Sequence, residues 1–332
     1  MIDVVVLPVT YRCNCNCIMC SIPSRKCSDL SLDFYRRIFS DKELNSLKTI
    51  NITGGEPFLR DDIDELVNII VEKSSEIKEF IFSTNGTIKD LSERLRSMLN
   101  KYREHQFVVS VSLDSVNDKA EKVRGVLGIH EMQMNTLLQI KRLSEEYKNI
   151  IPVAAVTITS KNYREVREVY EWAKEHRIAI DFIIATVNTA YINSKAKADS
   201  FTLSEEQKIL VIETLTKVYK ETEVISTKNY YEMLIRKLKN IDHDLKECIF
   251  RDKRGVLIEA DGILRVCGMD SHSYIGDLKE RSFSELYEQK WPDMEVYCRE
   301  CTTNSYNAYS EMNQKELLNN MLKTVKEKRR NK

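Results

Sequence analysis

The sequence predicts an α/β protein, a parallel sheet with helical crossovers followed by a smaller C-terminal α/β unit. Three observations carry this expectation. Short β-branched runs alternate six times with amphipathic stretches over residues 4–185. The texture changes after Cys248, where two short apolar runs flank Asp261-Gly262 in the manner of a hairpin. Only 9 Gly and 5 Pro in 332 residues leave little material for long flexible linkers.

Each element follows from its local pattern. Residues 4–9, 49–53, 80–84, 107–113, 153–159 and 180–185 read as strands. Residues 30–39, 62–73, 91–99, 132–147 and 163–175 read as the intervening helices. The second of these places Ile63, Leu66, Val67, Ile69 and Ile70 on one face. Open and closed barrels both satisfy the pattern. Ser204 and Gln207 match a capping box that opens a helix toward Tyr219, and residues 231–238 read as another helix. Residues 256–259 and 263–266 form the hairpin arms, and residues 283–288 a short helix. The expected domains are residues 1–240, residues 241–310, and a helical tail over residues 311–332 with a basic end.

Composition narrows the function classes. Apolar residues make up 42% and charged residues 31%, enough for a sizeable core. Lys+Arg and Asp+Glu both number 51, so no general attraction to nucleic acid or anionic membranes is expected. No apolar run is long enough to cross a bilayer. The N-terminus lacks the charged region and cleavage site of a signal peptide, so a cytoplasmic location is expected. Thiols stay reduced there, and 9 cysteines then point to metal ligation or reactivity rather than disulfides. They form two groups, with none between Cys27 and Cys248.

Cys13, Cys17 and Cys20 make C-x3-C-x2-C on the loop after the first strand. Ligand sites gather at that end of parallel α/β sheets. Three thiolates can hold three corners of a cubane and leave one iron open. Structural zinc would want a fourth ligand, and Cys15 is a candidate between two ligands on a tight loop. Thr53-Gly54-Gly55-Glu56-Pro57 ends the second strand, where paired glycines permit close backbone approach and a carboxylate can accept from an ammonium. Ser83-Thr84-Asn85-Gly86 ends the third strand and reads as an Asn-Gly turn or a functional segment. Ser112-Leu113-Asp114 ends the fourth, with Arg124-Gly125 beyond.

In spacing and order these motifs resemble the radical S-adenosylmethionine (SAM) family, and the resemblance extends over roughly the whole chain. It implies a partial (β/α)6, TIM-like barrel. It implies a 4Fe–4S cluster on Cys13, Cys17 and Cys20, with SAM on the open iron. One electron from the cluster, delivered by an external flavodoxin- or ferredoxin-type reductant, would then release a 5′-deoxyadenosyl radical that abstracts a substrate hydrogen. Glu56, with Thr53, Gly54 and Gly55, is implied to hold the methionyl amine. Asn85 is implied near the ribose and substrate, Ser112 and Arg124 near the SAM carboxylate, and Asp114 near the ribose. A surface ion pair is the competing reading of Arg124. Met19 stands where the family usually has an aromatic residue beside adenine. Thr157, with Ile158 and Ile183, is a candidate for the adenine side, core packing being the leading reading of the isoleucines.

Cys248, Cys267, Cys298 and Cys301 match full ligation of a second, auxiliary 4Fe–4S cluster, and also structural zinc. The pattern C-x13-G-x4-C, then Gly276-Asp277-Leu278, then C-x2-C, resembles the family's SPASM/twitch extension in its shorter, one-cluster form. An auxiliary cluster beside the substrate favours net oxidation, such as dehydrogenation or cross-linking, with epimerisation as the alternative. Cys15 and Cys27 are left over, as hydrogen-atom donors or as small buried hydrophobes. The expected substrate is a peptide, either a ribosomal natural product or a maturation target. A small sugar or aminocyclitol is the alternative, favoured by a chain that begins almost at its first strand without the family's N-terminal peptide-recognition domain. A non-catalytic cluster- or zinc-binding protein is the remaining class. Tyr230, Tyr231 and Tyr306 are unranked candidates for the substrate side.

Overall fold

The computed structural model describes residues 1–187, 197–221, 225–241, 248–298 and 301. The expected tail, with Tyr306, lies outside the described residues. Six parallel strands are joined by helical crossovers: β1 (Val4–Pro8), β2 (Thr49–Thr53), β3 (Glu79–Thr84), β4 (Gln106–Ser112), β5 (Ile150–Ile158) and β6 (Ala179–Ile184). The crossovers carry α1 (Leu32–Phe39), α2 (Ile63–Lys73), α3 (Leu91–Lys101), α4 (Lys119–Arg124), α5 (Ile129–Glu146) and α6 (Val166–Glu175). Then come α7 (Ala198–Phe201), α8 (Glu205–Glu221) and α9 (Ile225–Leu238). This is the expected α/β fold, a six-unit open barrel.

The strands form because each turns an apolar face to the covering helices. β2 (TINIT) is buried at four of its five positions, as parallel sheets covered by helices require. The helices turn one apolar face inward. On α2 that face is Ile63, Leu66, Val67, Ile69 and Ile70, as expected. Ser31 caps α1 by accepting from Phe34 N at 3.2 Å, a contact worth about 1 kcal/mol. The core between helices and sheet runs continuously from Val5 and Leu7 to Phe182 and Ile184.

Beyond α9 the chain returns to the same sheet. β7 (Gly255–Ile258) pairs parallel to β1, β8 (Ile263–Arg265) antiparallel to β7, and β9 (Tyr274–Asp277) antiparallel to β8. Among the described residues the strand order is β6-β5-β4-β3-β2-β1-β7-β8-β9. The hairpin at Asp261-Gly262 is as expected, with Gly262 at φ +91°. α10 (Phe283–Glu288) starts at a capping box of Ser282 and Glu285, and α11 (Glu295–Cys298) follows. No described helix is long and apolar enough to cross a membrane.

Candidate active site

The cysteine loop leaves β1 and is clamped from two sides. On one side, Gly55 N donates to Thr10 O and Glu56 N to Arg12 O, both at 2.8 Å. A Cβ on Gly54 would lie 2.4 Å from Thr10 O, and one on Gly55 2.1 Å from Arg12 O. Both glycines admit the backbone of the cysteine loop at close range. On the other side, Asn16 N donates to Arg124 O at 3.0 Å and Ile18 N to Val123 O at 2.9 Å. Gly125, at φ +69°, has room for no Cβ, since Asn16 O would lie 2.7 Å away. Both glycine motifs therefore fix the loop before anything binds to it.

Each of the three spaced thiols faces a nitrogen donor. Asn85 Nδ2 lies 3.8 Å from Cys13 Sγ, Arg124 Nη1 3.8 Å from Cys17 Sγ, and Ile22 N 3.4 Å from Cys20 Sγ. Such donors stabilise negative charge on sulfur. A hydrogen bond from the Cys15 thiol, together with the Asn85 and Arg124 groups, holds Cys13 down at about 6. Burial pushes Cys17 up and Cys20 up to about 11. Cys15 is 4% exposed, and its hydrogen bond to Cys13 Sγ, with burial, pushes its thiol up. Among the described residues no three ligand-type side chains converge on one metal ion. Thiols spread along a loop suit a polynuclear group in which each iron takes one thiolate. Met19 is buried with Cys15, Cys17, Ala120, Val123, Ile129 and Phe201, filling space beneath the loop.

The carboxylates expected to contact SAM have protein partners. Glu56 is wholly buried and accepts from Thr84 Oγ1 at 2.9 and 3.0 Å, Asn85 N at 2.7 Å and Phe58 N at 3.2 Å. Burial still raises it to about 7. Asp114, also wholly buried, takes both prongs of Arg124 at 2.5 and 3.1 Å. It also accepts from Thr157 N at 2.8 Å. Arg124 is 9% exposed, so the surface ion pair is corrected to a buried one whose third contact is the Cys17 sulfur. Asn162, which no motif marked, ties the Asp114 and Thr157 carbonyls together at 2.9 and 3.0 Å. Ser112 is partly exposed on β4 beside Ala155, and Thr53 O accepts from Val9 N at 2.9 Å. Tyr230 and Tyr231 are buried. Their hydroxyls donate to Phe182 O and Ile180 O along β6, at 2.7 and 3.2 Å.

A second clamp joins the C-terminal strands to the cysteine loop. Glu259, wholly buried just after β7, accepts from Tyr11 Oη at 2.6 Å and pairs with Arg25 and Arg265. Its one sequence signal was a carboxylate in the apolar run of residues 256–260. Cys27 packs against Tyr11, Ile22 and Ala260 and borders an open cleft of about 620 Å³ with Arg12, Cys13, Arg25 and Lys26.

Cys248, Cys267, Cys298 and Cys301 are drawn together by the turn before β7, the end of β8, and α11. Burial, with the charges of the neighbouring thiols, pushes Cys267 up to about 12 and Cys298 up to about 11. Cys301 N donates to Cys298 O at 3.0 Å, and Lys237 Nζ to Cys301 O.

Residues 7–173, half of the chain, match the model of the radical SAM superfamily. The chain is 25% identical over 314 residues to the Fe-coproporphyrin III synthase of Methanosarcina barkeri, covering 88% of this chain and 74% of that one. It is 28% identical to a GTP 3′,8-cyclase of Synechocystis over 53% of this chain and 51% of that one. It is 26% identical to the subtilosin biosynthesis protein AlbA of Bacillus subtilis over 50% of this chain and 36% of that one. Two solved structures share the fold. One is anSMEcpe with bound AdoMet and a peptide, with TM-score 0.61, 16% identity, and 87% and 81% of the two chains covered. The other is SuiB of Streptococcus suis bound to its precursor peptide SuiA, with TM-score 0.61, 16% identity, and 87% and 65% covered. With the family match covering the clamped cysteine loop and strands β2 to β5, the chain belongs to the radical SAM superfamily, whose enzymes work through a 4Fe–4S cluster and SAM.

Proposed function

We propose that this enzyme holds its SAM-binding 4Fe–4S cluster on Cys13, Cys17 and Cys20 and abstracts hydrogen from a peptide substrate. The observation that carries the reading is the cysteine loop itself, clamped by Gly54-Gly55-Glu56 and by Val123-Arg124-Gly125, with a donor facing each of the three thiols. When bound, the cluster and SAM supply a one-electron cleavage and a carbon radical that takes a substrate hydrogen. The protein's part is to keep that chemistry oriented and dry. Asn85, Arg124 and the Ile22 amide stabilise charge on the thiolates, and Cys15 supports Cys13. Asp114 and Asn162 lock the ends of β4 and β5 together, fixing Thr157 there. Glu56 braces the turn that carries Gly54 and Gly55 against the loop.

The C-terminal four-cysteine group is assigned to a fully ligated auxiliary cluster in a twitch-type extension, able to take an electron from a substrate radical. What supports a peptide substrate is the peptide held in two structures of the same fold and the bacteriocin role named for AlbA. A tetrapyrrole is the second reading, because the relative matched over most of this chain is a coproporphyrin synthase. Anaerobic reconstitution followed by dithionite and SAM tests the assignment. 5′-Deoxyadenosine is expected from the parent and not from Cys17→Ala. No product from fully iron-loaded parent would refute it.

A further inference from the structure

On β6 the side chains alternate between two faces. Phe182 and Ile184 enter the main core, whereas Ala179 joins a small inner cluster with Ile81, Val108 and Val153. Asp181, two residues from Ala179, therefore belongs to the inner face. The register sets it beside Ala155, and Ala155 beside Ser112. The rung toward the strand starts is Ser83, Ser110, Val153 and Ala179, and the next beyond that is Ile81, Val108 and Ile151. The inner face thus has a bulky floor and small walls above it. Barrels of this type usually fill such layers with branched side chains. Ser110, Ser112, Ala155 and Asp181 on the upper rungs are all partly accessible, so the inner face above the floor stays open as a chamber.

The acidic groups at this end of the sheet are served by the protein, with one exception. Asp114 has Arg124, and Glu56 has Thr84 and the Asn85 amide. Among the described residues Asp181 has only the backbone N–H of Phe182, and burial raises its carboxyl to about 7. A carboxylate in such a place gains more from a cation than from any neutral partner.

We propose that Asp181 is the anchor for a cationic group of the substrate, an ammonium or guanidinium, held in the chamber beside Ser112 and Ala155. The proposal rests on the reading that the inner face receives the substrate. It narrows the class to a peptide with a basic side chain or a free amino terminus, and disfavours a polycarboxylate such as a tetrapyrrole.

Benzamidinium and its neutral isostere benzamide, titrated into the iron-loaded, SAM-bound protein and followed by ligand-observed NMR, test this directly. The parent should bind the cation about tenfold more tightly. Asp181→Asn should weaken benzamidinium about tenfold and leave benzamide unchanged. No preference in the parent overturns the proposal without recourse to any variant. Undiminished benzamidinium binding in the Asn variant overturns it too, as does equal weakening of both probes, which belongs to the chamber's shape. The titration needs no turnover. Failure to make 5′-deoxyadenosine would therefore remove the assigned reaction while leaving this anchor to its own result.

Discussion

Arg124 is bound to Asp114 by two prongs, touches the Cys17 sulfur with a third nitrogen, and presents its carbonyl to the cysteine loop. Arg124→Met would strand a wholly buried carboxylate. We expect a loss of about 3–5 kcal/mol in urea unfolding, with Asp114→Asn/Arg124→Met together losing less than the two single changes summed. Asp181 gives a pH signature of its own. Its carboxyl is raised from 3.8 to about 7 on folding, so across that window the folded state holds a proton the unfolded chain has released. Stability of the ligand-free protein should fall as pH rises from about 4 to about 7 and then level. Asp181→Asn should lack that slope in denaturation curves. At this scale the sequence revealed which residues matter better than what they touch. The cysteines, Glu56, Asp114 and Arg124 stood out by type and spacing. Their partners did not, because Thr84 meets Glu56, and Asn162 meets Asp114, only through the register of neighbouring strands.

At the scale of elements, the glycine turns are backbone-to-backbone contacts with no slack. Gly55→Ala places a methyl 2.1 Å from Arg12 O, and the atom in the way is main chain. The sheet has no reason to change, so far-UV circular dichroism should match the parent. Iron incorporated on anaerobic reconstitution should drop by about the share of one four-iron cluster. Unchanged iron content would show that the loop tolerates displacement. The strands and long helices were legible because each is a buried β-branched run or a single apolar face. α4 was not foreseen. Its six residues (KAEKVR) are too few for a period, and what makes it a helix end is Gly125 at φ +69° against Asn16. β9 was missed for the same reason, as four residues (YIGD) held in place by β8.

Across the whole molecule, the C-terminal strands continue the main sheet through the β1–β7 pairing, with Glu259 pinning them to Tyr11 and Arg25. That pairing joins residues about 250 positions apart, a register no local pattern encodes. It also ties the two cysteine groups to neighbouring strands. If the second group holds four irons, the parent should carry about eight per chain and Cys267→Ser about four. On the proposed ligation, with separate thiols for the two sites, that variant should still cleave SAM with dithionite. Zinc at one equivalent, with iron near four in the parent, would reassign the C-terminal group.

The central claim is that three thiolates on one clamped loop leave an iron free to take SAM. Electron paramagnetic resonance of the dithionite-reduced protein, in the Cys267→Ser background so that one cluster is seen, tests it most directly. Adding SAM should shift the g-values of the reduced cluster, and methionine-labelled SAM should show hyperfine coupling to that iron. A spectrum indifferent to saturating SAM would contradict the account.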